Sequence, residues 1–534
     1  MYKYDSKSYI LNVGINMKKF RFILSIIPLF SFSCGSNNDE FKPPISTKEY
    51  NHNVYLDDVG EVSIHSDLQN MYLEDDYENI GNYAKGNKEL SRPVAINLSW
   101  GYGQTTEQYE VKLSEYEDMY ESEYFYTAED NIDIINLKVH TDYYWTVRPI
   151  EEELESKVGH FKTDEKGIRN LYISGVTNAR DIGGVEVNGG GTLKQGNIYR
   201  MANADSITEK GKAEIKRLGI KTEIDLRDDS TLKKSPAGAE NFYLYNMFYD
   251  DYSNYIERNC EAVKGAIKVF ANEDNYPIYY HCKIGTDRTG YMTYLLMGLC
   301  GAKEEDIYRD YLFSNFGNIE GERTLHGSGV NDVRLYYDAI NAFPGKTLQH
   351  RIYNFLISIG VKPEELQEII RINVEDLDES IIDDLESQQA LFIDAENFDL
   401  GYGLELENYY GLWHVKLTEK ENKSIFARFF VENNGNFAIY TYMYSKNLNT
   451  YASDAYALYI NDIQQDVADT TFKNLHCRAT TGIYVAGRIA TCHLDKGENV
   501  ITLKNIANEN NKKAYGAYIG GIVIIPLEEN FVSL

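Results

Sequence analysis

Cysteine is scarce in this chain and follows no metal-binding spacing. The 534 residues contain six cysteines, and no two of them form a Cys-x-x-Cys pair. Structural zinc sites are usually built from such pairs, so we expect no structural metal. In the C-terminal region, Cys477 and Cys492 are close enough in sequence to form a disulfide, and two free buried thiols are an equally good alternative.

Positive charge is also in short supply. The chain has 53 lysines and arginines against 82 aspartates and glutamates, which gives a net charge of −29. Such a surface repels nucleic acid and anionic membranes, which argues against both as partners. A site that binds an anionic ligand must therefore attract it with a local positive field.

Long apolar runs are almost absent, and the clearest one lies near the N-terminus. Residues 22–32 are apolar, follow three basic residues within 18–21, and precede Cys34. The run is too short for a stable membrane span and has the architecture of a signal peptide, predicted over 1–34. The polar segment 35–50 is predicted to be a linker.

The position of Cys34 directly after this apolar core resembles a bacterial lipoprotein signal. The resemblance implies that Cys34 carries a lipid after cleavage, and the alternative is an ordinary secretory signal with a coincidental cysteine. In both cases we expect an extracytoplasmic protein, periplasmic or at the cell surface, whose membrane contact is limited to its N-terminal anchor.

The region 276–291 predicts a strand, a tight loop and a helix in succession. Residues 277–280 form a short apolar run of strand composition, which ends at His281 and Cys282. Arg288 follows after five intervening residues, and the apolar stretch 291–300 is long enough for a buried helix. A cysteine is thus expected at the end of the strand and an arginine at the start of the helix.

This succession predicts an anion site with a nucleophile at its base. The loop amides can turn inward as a nest, with the helix N-terminus aimed at the same point. Arg288 offers two parallel donors to a phosphate, and the local positive field favours the thiolate of Cys282, to which Thr289 can donate its hydroxyl. Gly285 permits the backbone bend. The predicted phosphate-binding residues are Lys283, Ile284, Gly285, Thr286, Asp287 and Arg288.

The pattern His281-Cys282-x5-Arg288-Thr289-Gly290 resembles the signature loop of the cysteine-dependent protein tyrosine phosphatase superfamily. The upstream motif Asn-x-Arg-Asp-x-Gly-Gly at 178–184 makes the chain similar to a bacterial branch of tyrosine or dual protein and lipid phosphatases. The resemblance implies that Cys282 attacks phosphorus, that Arg288 binds the phosphoryl oxygens, and that an aspartate protonates the leaving oxygen.

Several acids compete for that last role. Asp250 is favoured because it follows Phe248-Tyr249 at the point where related enzymes carry their acid, and Asp287, inside the loop, is second. Asp225 or Asp228 is third. The supporting residues are predicted to be His281, Thr289, Arg180 and Asp181. For the last two, an internal ion pair that braces the site and a plain turn pair are equal alternatives.

The expected fold class is a multidomain protein with a central α/β domain between two all-β sandwiches. Residues 166–375 alternate strands with helices and predict a mostly parallel sheet. Residues 51–165 resemble a fibronectin type III sandwich, with Trp100 and Trp145 more often core than ligand platform in such a fold. An acidic connector is expected at 376–394. The β-rich segment 395–534 resembles galactose-binding and carbohydrate-binding modules.

The predicted function is phosphate monoester hydrolysis without metal or cofactor, with phosphotyrosine as the foremost substrate. A phosphorylated protein or a small phosphate ester is the expected partner, and a glycan is a candidate ligand for the C-terminal domain. Three alternatives remain open: a phosphoinositide or inositol phosphate phosphatase, a surface binding protein whose phosphatase domain is inactive, and a rhodanese-like sulfur transferase.

Overall fold

A computed structural model describes residues 49–164, 167–249, 255–326, 333–409, 412–417, 423–445, 450–467, 478–479, 485–506 and 517–527. The predicted signal peptide with Cys34 lies outside these residues, and so do Asp250 and Cys477. The disulfide between Cys477 and Cys492 therefore stays a prediction. Within the described ranges, no helix combines the length and the apolar composition that crossing a membrane requires.

The N-terminal region contains two facing β-sheets. Its strands are β1 (Val54–Leu56), β2 (Gly60–Val62), β3 (Ile96–Tyr102), β4 (Tyr109–Ser114), β5 (Glu123–Thr127), β6 (Asn131–Ile134), β7 (Asp142–Pro149) and β8 (Gly159–Thr163). One sheet has the strand order β1-β3-β6 and the other β2-β8-β7-β4-β5. Trp100 and Trp145 are buried between them with ring centroids 6.4 Å apart, which confirms their prediction as core residues.

A helical insert separates β2 from β3 and packs on the central domain rather than on the sandwich. It consists of helix α1 (Asp67–Glu74) and the 3-10 helix Tyr77–Asn82. Tyr72 of α1 is fully buried, and its ring lies 5.8 Å from that of Phe316. The sequence predicts a single sandwich over 51–165, and the structure corrects this because the apolar face of α1 is buried against another domain.

The central domain is built on a five-stranded sheet with helices around it. Its strands are β9 (Arg180–Asp181), β10 (Thr192–Leu193), β11 (Ile198–Met201), β12 (Thr222–Arg227), β13 (Asn241–Met247), β14 (Ile278–His281) and β15 (Val374–Glu375). Its helices are α2 (Glu209–Arg217), α3 (Tyr255–Phe270), α4 (Asp287–Leu299), α5 (Glu304–Phe313), α6 (Arg334–Asn341), α7 (Leu348–Ser358) and α8 (Pro363–Asn373).

The order of that sheet is β13-β12-β14-β11-β9. The strands β13, β12, β14 and β11 pair in parallel, and β9 pairs antiparallel with β11. All four residues of the central strand β14 are buried, and so are all residues of α4 that follows it. Parallel strands place their carboxyl ends at one edge of the sheet, and that edge is where ligands bind in such folds.

The C-terminal region is a second sandwich. Its elements are α9 (Ser380–Ser387), β16 (Leu391–Asp394), β17 (Asp399–Leu400), β18 (Leu406–Tyr409), β19 (Leu412–Leu417), β20 (Ser424–Val431), β21 (Gly435–Ser445), β22 (Thr450–Tyr451), α10 (Ala452–Ala455), β23 (Tyr456–Ile460), β24 (Ile463–Gln465), β25 (Arg478–Ala479), β26 (Val485–Leu494), β27 (Gly497–Asn505) and β28 (Ala517–Pro526). A six-stranded sheet around β28 faces the sheet β17-β20-β27-β23-β24.

The predicted connector 376–394 contains regular secondary structure from Ser380 onward. Helix α9 lies within it, and β16 pairs antiparallel with β28, so the sandwich begins at Leu391 rather than at Ala395.

The outer face of the six-stranded sheet is buried against helices of the central domain. Tyr440 stacks on Phe343 with centroids 5.1 Å apart, and the ammonium group of Lys264 on α3 lies 5.2 Å from the centre of the Tyr442 ring. Buried residues of the insert, the central domain and this sheet form one contiguous apolar cluster. The three regions are therefore packed together rather than strung on flexible linkers.

Candidate active site

Cys282 lies at the carboxyl end of the central strand β14, directly before the loop that leads into α4. The residue is 2% exposed. The positive end of the helix dipole of α4 is aimed at this loop. A buried sulfur is therefore placed where the fold already concentrates partial positive charge.

Two side chains hold the loop from behind by its carbonyl groups. The amide nitrogen of Asn178 donates to the carbonyl oxygens of Ile284 (3.2 Å) and Gly285 (3.1 Å). The guanidinium of Arg200 donates to the carbonyl oxygens of Gly285 (2.7 Å) and Thr286 (3.3 Å). Because C=O and N–H point in opposite directions across a peptide bond, these contacts turn the next amides toward the other side of the loop.

The freed amides form the concave side of the loop. None of the backbone N–H groups from Ile284 to Asp287 donates to another described residue. Gly285 makes this curvature possible, since its φ is +71° and a Cβ there would lie 2.4 Å from the backbone of Met201. Successive inward amides of this kind bind anions.

A buried ionic array supports Asn178 and Arg200. Asp310 of α5 accepts from Nε of Arg180 at 2.7 Å and pairs with Arg200 through its other oxygen. Arg180 in turn donates to the side-chain oxygen of Asn178 at 2.5 Å. Burial alone would raise the pKa of Asp310, but the two guanidinium groups outweigh it and lower that pKa. Burial and the charge of Arg200 lower the pKa of Arg180 to about 10.

The predicted ion pair between Arg180 and Asp181 is wrong. Asp181 pairs instead with Arg169 at 2.8 Å and accepts from the amides of Gly183 and Gly196. Arg180 and Asp181 are neighbours in β9, and consecutive residues of a strand point to opposite faces of the sheet. Only Arg180 therefore reaches the side of the sheet where the loop is held.

His281 is fully buried between the cysteine and two acids of β12. Its Nε2 lies 3.0 Å from Glu223 and its Nδ1 lies 2.9 Å from the carbonyl oxygen of Cys282. Both partners can accept hydrogen bonds, an arrangement that suits a histidine protonated on both ring nitrogens. Burial lowers the pKa of His281, but Glu223 and Asp225 outweigh it and the net shift is upward.

Opposing effects act on the sulfur, and the net result favours the thiolate. Burial raises the pKa of Cys282, whereas the charge of Arg288 and hydrogen bonds from Thr289 lower it by more. The hydroxyl of Thr289 is buried and has no oxygen or nitrogen partner among the described residues, which leaves it available to the sulfur. A thiolate is the reactive form of cysteine.

Arg288 is held at the site by contacts from the β12 and β13 ends. Its Nη1 donates to Asp228 at 2.6 Å and to the carbonyl oxygen of Met247 at 3.1 Å. Its guanidinium lies 5.3 Å from the centre of the Tyr249 ring. The arginine is 6% exposed, so its guanidinium is largely buried at the site.

Asp287 is engaged on both oxygens, which argues against a role as proton donor. Arg323 donates to it from Nε (3.1 Å) and Nη2 (3.3 Å). The hydroxyls of Tyr249 (2.7 Å) and Tyr311 (3.1 Å) donate to it as well. A carboxylate that accepts four hydrogen bonds is suited to bracing the start of α4 rather than to releasing a proton.

The remaining candidate acids differ in access. Asp225 is fully buried and held by Arg227, whereas the side chain of Asp228 is 32% exposed. Asp250, the favoured acid, lies outside the described residues. The side chain of Lys283 is exposed and lies 3.4 Å from Glu320, so it is at the surface beside the loop.

Sequence reasoning named no role for Asn178, Arg200, Asp310 or Glu223. Asn178 belongs to the motif at 178–184 that carries the family resemblance, which indicated that the residue matters but not how it acts. Asp310 and Glu223 had no signal, because an acid in a helix or strand becomes informative only when its partners are known.

Comparison with known proteins supports the enzyme class. Residues 171–370, less than half of the chain, match the model of the tyrosine phosphatase family. A protein of Cupriavidus necator that carries the name of a tyrosine-protein phosphatase is 25% identical over 199 residues, covering 31% of this chain and 71% of that protein. A tyrosine-protein phosphatase of Nostoc commune is 26% identical over 161 residues, covering 25% of this chain and 54% of that protein. The predicted phosphatase hydrolase is confirmed.

Solved structures match parts of the chain with low overall scores. A family 35 carbohydrate binding module from Clostridium thermocellum matches with 16% identity and a TM-score of 0.20, covering 26% of this chain and 97% of that one. The core catalytic domain of a PP-IP phosphatase from S. cerevisiae matches with 20% identity and a TM-score of 0.19, covering 22% of this chain and 71% of that one.

Proposed function

We propose that this chain hydrolyses phosphate monoesters, with phosphotyrosine foremost, through a phosphorylated Cys282. The observation that carries the proposal is the arrangement of the loop: a buried thiol whose pKa is lowered lies beside Arg288, and Asn178 and Arg200 hold the loop carbonyls. This arrangement supports the proposal, because a nucleophile and an array of phosphate donors would meet the substrate together.

The reaction has two steps. The Cys282 thiolate attacks phosphorus, a phosphorus–sulfur bond forms, and the ester phosphorus–oxygen bond breaks while a general acid protonates the leaving oxygen. Water then attacks the cysteinyl-phosphate, releases inorganic phosphate and regenerates the thiolate, with the same acid acting as base. Arg288 and the loop amides neutralise the charge on the phosphoryl oxygens throughout, so the step needs no metal in this proposal.

We propose Asp228 as the proton donor among the described residues. It contacts Arg288 directly and remains partly exposed, unlike Asp225 and Asp287. When Arg288 turns its donors to a phosphoryl group, the Asp228 carboxyl is left beside the leaving oxygen. Asp250 stays the rival that the sequence favours.

Kinetics of two variants decide between these acids. Replacing the true acid with asparagine should cost about 10²-fold or more in kcat for an alkyl phosphate and much less for an aryl phosphate with a good leaving group. It should also remove the alkaline limb of the pH profile. The proposal fails for Asp228 if Asp228→Asn behaves alike on both esters while Asp250→Asn shows the leaving-group dependence.

The central experiment is the Cys282→Ser variant of the full chain. We expect it to lose hydrolysis of an aryl phosphate and phosphotyrosine peptides while it still binds vanadate or phosphate. EDTA should leave the wild-type rate unchanged and vanadate should inhibit it. Retained turnover in the variant would refute the mechanism, and a wild-type chain without turnover would favour the alternative of an inactive binding protein.

The proposal also covers the two regions that flank the central domain and the cellular location of the protein. We propose that residues 51–165, outside the insert that separates β2 from β3, form a fibronectin type III-like sandwich, and that residues 391–534 form a galactose-binding-like sandwich with a glycan as ligand. The chain is proposed to be exported and anchored by a lipid on Cys34. Labelling with radioactive palmitate and its loss in Cys34→Ala test the anchor, and a glycan array on the full chain tests the sandwich.

A further inference from the structure

The surface around the catalytic loop carries more negative than positive charge. We call the rim five charged side chains beside the loop and Arg288: Asp205, Arg227, Asp229, Lys283 and Glu320. It contains three carboxylates and two cations.

Each cation of the rim is already matched by an acid. Lys283 lies 3.4 Å from Glu320. Arg227 makes a two-pronged contact with Asp205, at 2.6 and 3.2 Å, and also pairs with Asp225. Neither has a spare charge for a second phosphate. Asp229, by contrast, is exposed and has no ion pair among the described residues.

Glu320 is placed by backbone contacts that come from the N-terminal insert. The amides of Ile319 and Gly321, on either side of it, both donate to the carbonyl oxygen of Gly86, at 2.9 and 3.0 Å. Gly86 has a φ of +66°, and a Cβ there would lie 2.4 Å from the carbonyl oxygen of Gly321. Glu320 therefore lies in a segment that backbone hydrogen bonds hold against the N-terminal insert.

The sequence directly after Tyr249 adds negative charge, while Arg258 lies over the ring of Phe248, 4.4 Å from its centre. The five residues that follow Tyr249, 250–254, contain two aspartates and no lysine or arginine. The chain as a whole carries a net charge of −29. A second or third phosphate on the substrate would therefore meet repulsion from the rim and from the protein's overall field.

We propose that the rim selects singly phosphorylated peptide substrates flanked by basic residues and rejects polyphosphorylated inositols. The proposal rests on the phosphatase function proposed above and names its substrate class. The dianionic phosphoryl group itself is taken up by the loop amides and Arg288, inside the ring of acids. Lysine or arginine beside the phosphotyrosine then meets Glu320, Asp229 and Asp205.

The test compares kcat/KM of the full chain for three phosphotyrosine peptides with neutral, basic or acidic flanks, and for inositol hexakisphosphate. We expect the basic peptide to exceed the acidic one by about tenfold at low salt, and the gap to narrow at high salt. Inositol hexakisphosphate should be turned over slowest.

Charge reversal identifies the residues responsible. In Glu320→Lys and Asp229→Lys the ratio of basic to acidic peptide should fall by about threefold each, and by about tenfold in the double variant. Glu117→Lys, an exposed acid of the N-terminal sandwich, is the matched control and should leave the ratio unchanged. Glu320→Gln removes the charge without reversing it. Its ratio of basic to acidic peptide should lie between those of the wild type and Glu320→Lys.

The outcomes separate this inference from the function it rests on. If no peptide is hydrolysed, the proposed function fails. If the neutral peptide is hydrolysed but the acidic peptide or inositol hexakisphosphate is preferred, the function stands and the charge selection is overturned. Lys233 and Lys234 are exposed lysines that follow Asp229 in the chain. If Lys233→Glu or Lys234→Glu lowers the activity on inositol hexakisphosphate, these lysines are responsible for a preference for polyphosphorylated substrates.

Discussion

At the scale of single residues, Asn178 joins the two sides of the loop support. Its amide nitrogen donates to the loop carbonyls, and its oxygen accepts from Arg180, so one side chain links the backbone to the Asp310 array. Its φ of +59° is a conformation that asparagine tolerates better than most residues. The geometry explains why an asparagine stands here and why glycine is the informative replacement.

Asn178→Gly should remove the support without straining the backbone. We expect kcat/KM for an aryl phosphate to fall about 10²-fold, because the loop amides are no longer oriented before the phosphate arrives. The matched control is Asn461→Gly, since Asn461 also has a positive φ, +48°, but lies in the C-terminal sandwich. Equal activity of wild type and Asn178→Gly would show that the loop holds its shape without this side chain.

Thr289 should set the acid limb of the pH profile. Its hydroxyl and amide help to lower the pKa of Cys282, and the thiolate is needed for attack. Loss of the hydroxyl in Thr289→Ala raises the pKa of the thiol, so the rise of kcat/KM and of iodoacetate alkylation with pH should move to higher pH. Thr289→Ser keeps the donor and should stay close to wild type. A downward shift in Thr289→Ala would contradict the assignment.

At the scale of elements, the strand β14, its loop and α4 were predictable because their pattern is contiguous. Apolar residues, a cysteine, a glycine and an arginine occur within sixteen positions, and a local pattern is what a sequence states most directly. The contacts of the acids were not predictable. Asp310 lies on α5, and its two arginine partners lie on β9 and β11, so only the folded arrangement brings them together.

Asp310→Asn should destabilise the central domain strongly. The change leaves two buried guanidinium groups with one neutral partner, which typically costs about 3–5 kcal/mol. Asp306→Asn on the same helix is the control, because burial raises the pKa of Asp306 and its charge contributes little favourable interaction. When urea unfolding is monitored as the loss of activity, only Asp310→Asn should unfold at a clearly lower urea concentration than the wild type.

The pH dependence of that contribution follows from the lowered pKa of Asp310. Stabilisation by the charged group is fully present above the unfolded-state pKa of about 4 and is lost as the pH falls through the lower folded value. Wild type and Asp310→Asn should therefore differ most near neutral pH and converge in strong acid. If the stability difference between the two proteins grows as the pH falls, the charge of Asp310 does not stabilise the fold through its two arginines.

At the scale of the whole molecule, sequence patterns predicted three folded regions but not the contacts between them. The sequence predicted a β-rich segment over 395–534, yet it could not show that Tyr440 and Tyr442 face another domain instead of solvent. The insert around α1 was missed for the same reason. Its buried face is completed by Phe313 and Phe316, more than two hundred residues away in the chain.

Because the central domain and the C-terminal sandwich share one apolar cluster, they should unfold together. The full chain should show a common calorimetric transition for both. Phe343→Ala removes the ring stacked on Tyr440 and a buried side chain, which typically costs about 3–5 kcal/mol, and should split that transition in two.

Tyr402→Ala provides the control, since Tyr402 belongs to the same sandwich but is fully exposed. It should leave one transition at the wild-type temperature. The split in Phe343→Ala is expected because the remaining interface keeps fewer apolar contacts than either domain core, so the weaker body melts first. If the wild-type chain already melts in separate steps, with sandwich unfolding leaving phosphatase activity intact, the shared core does not couple the domains.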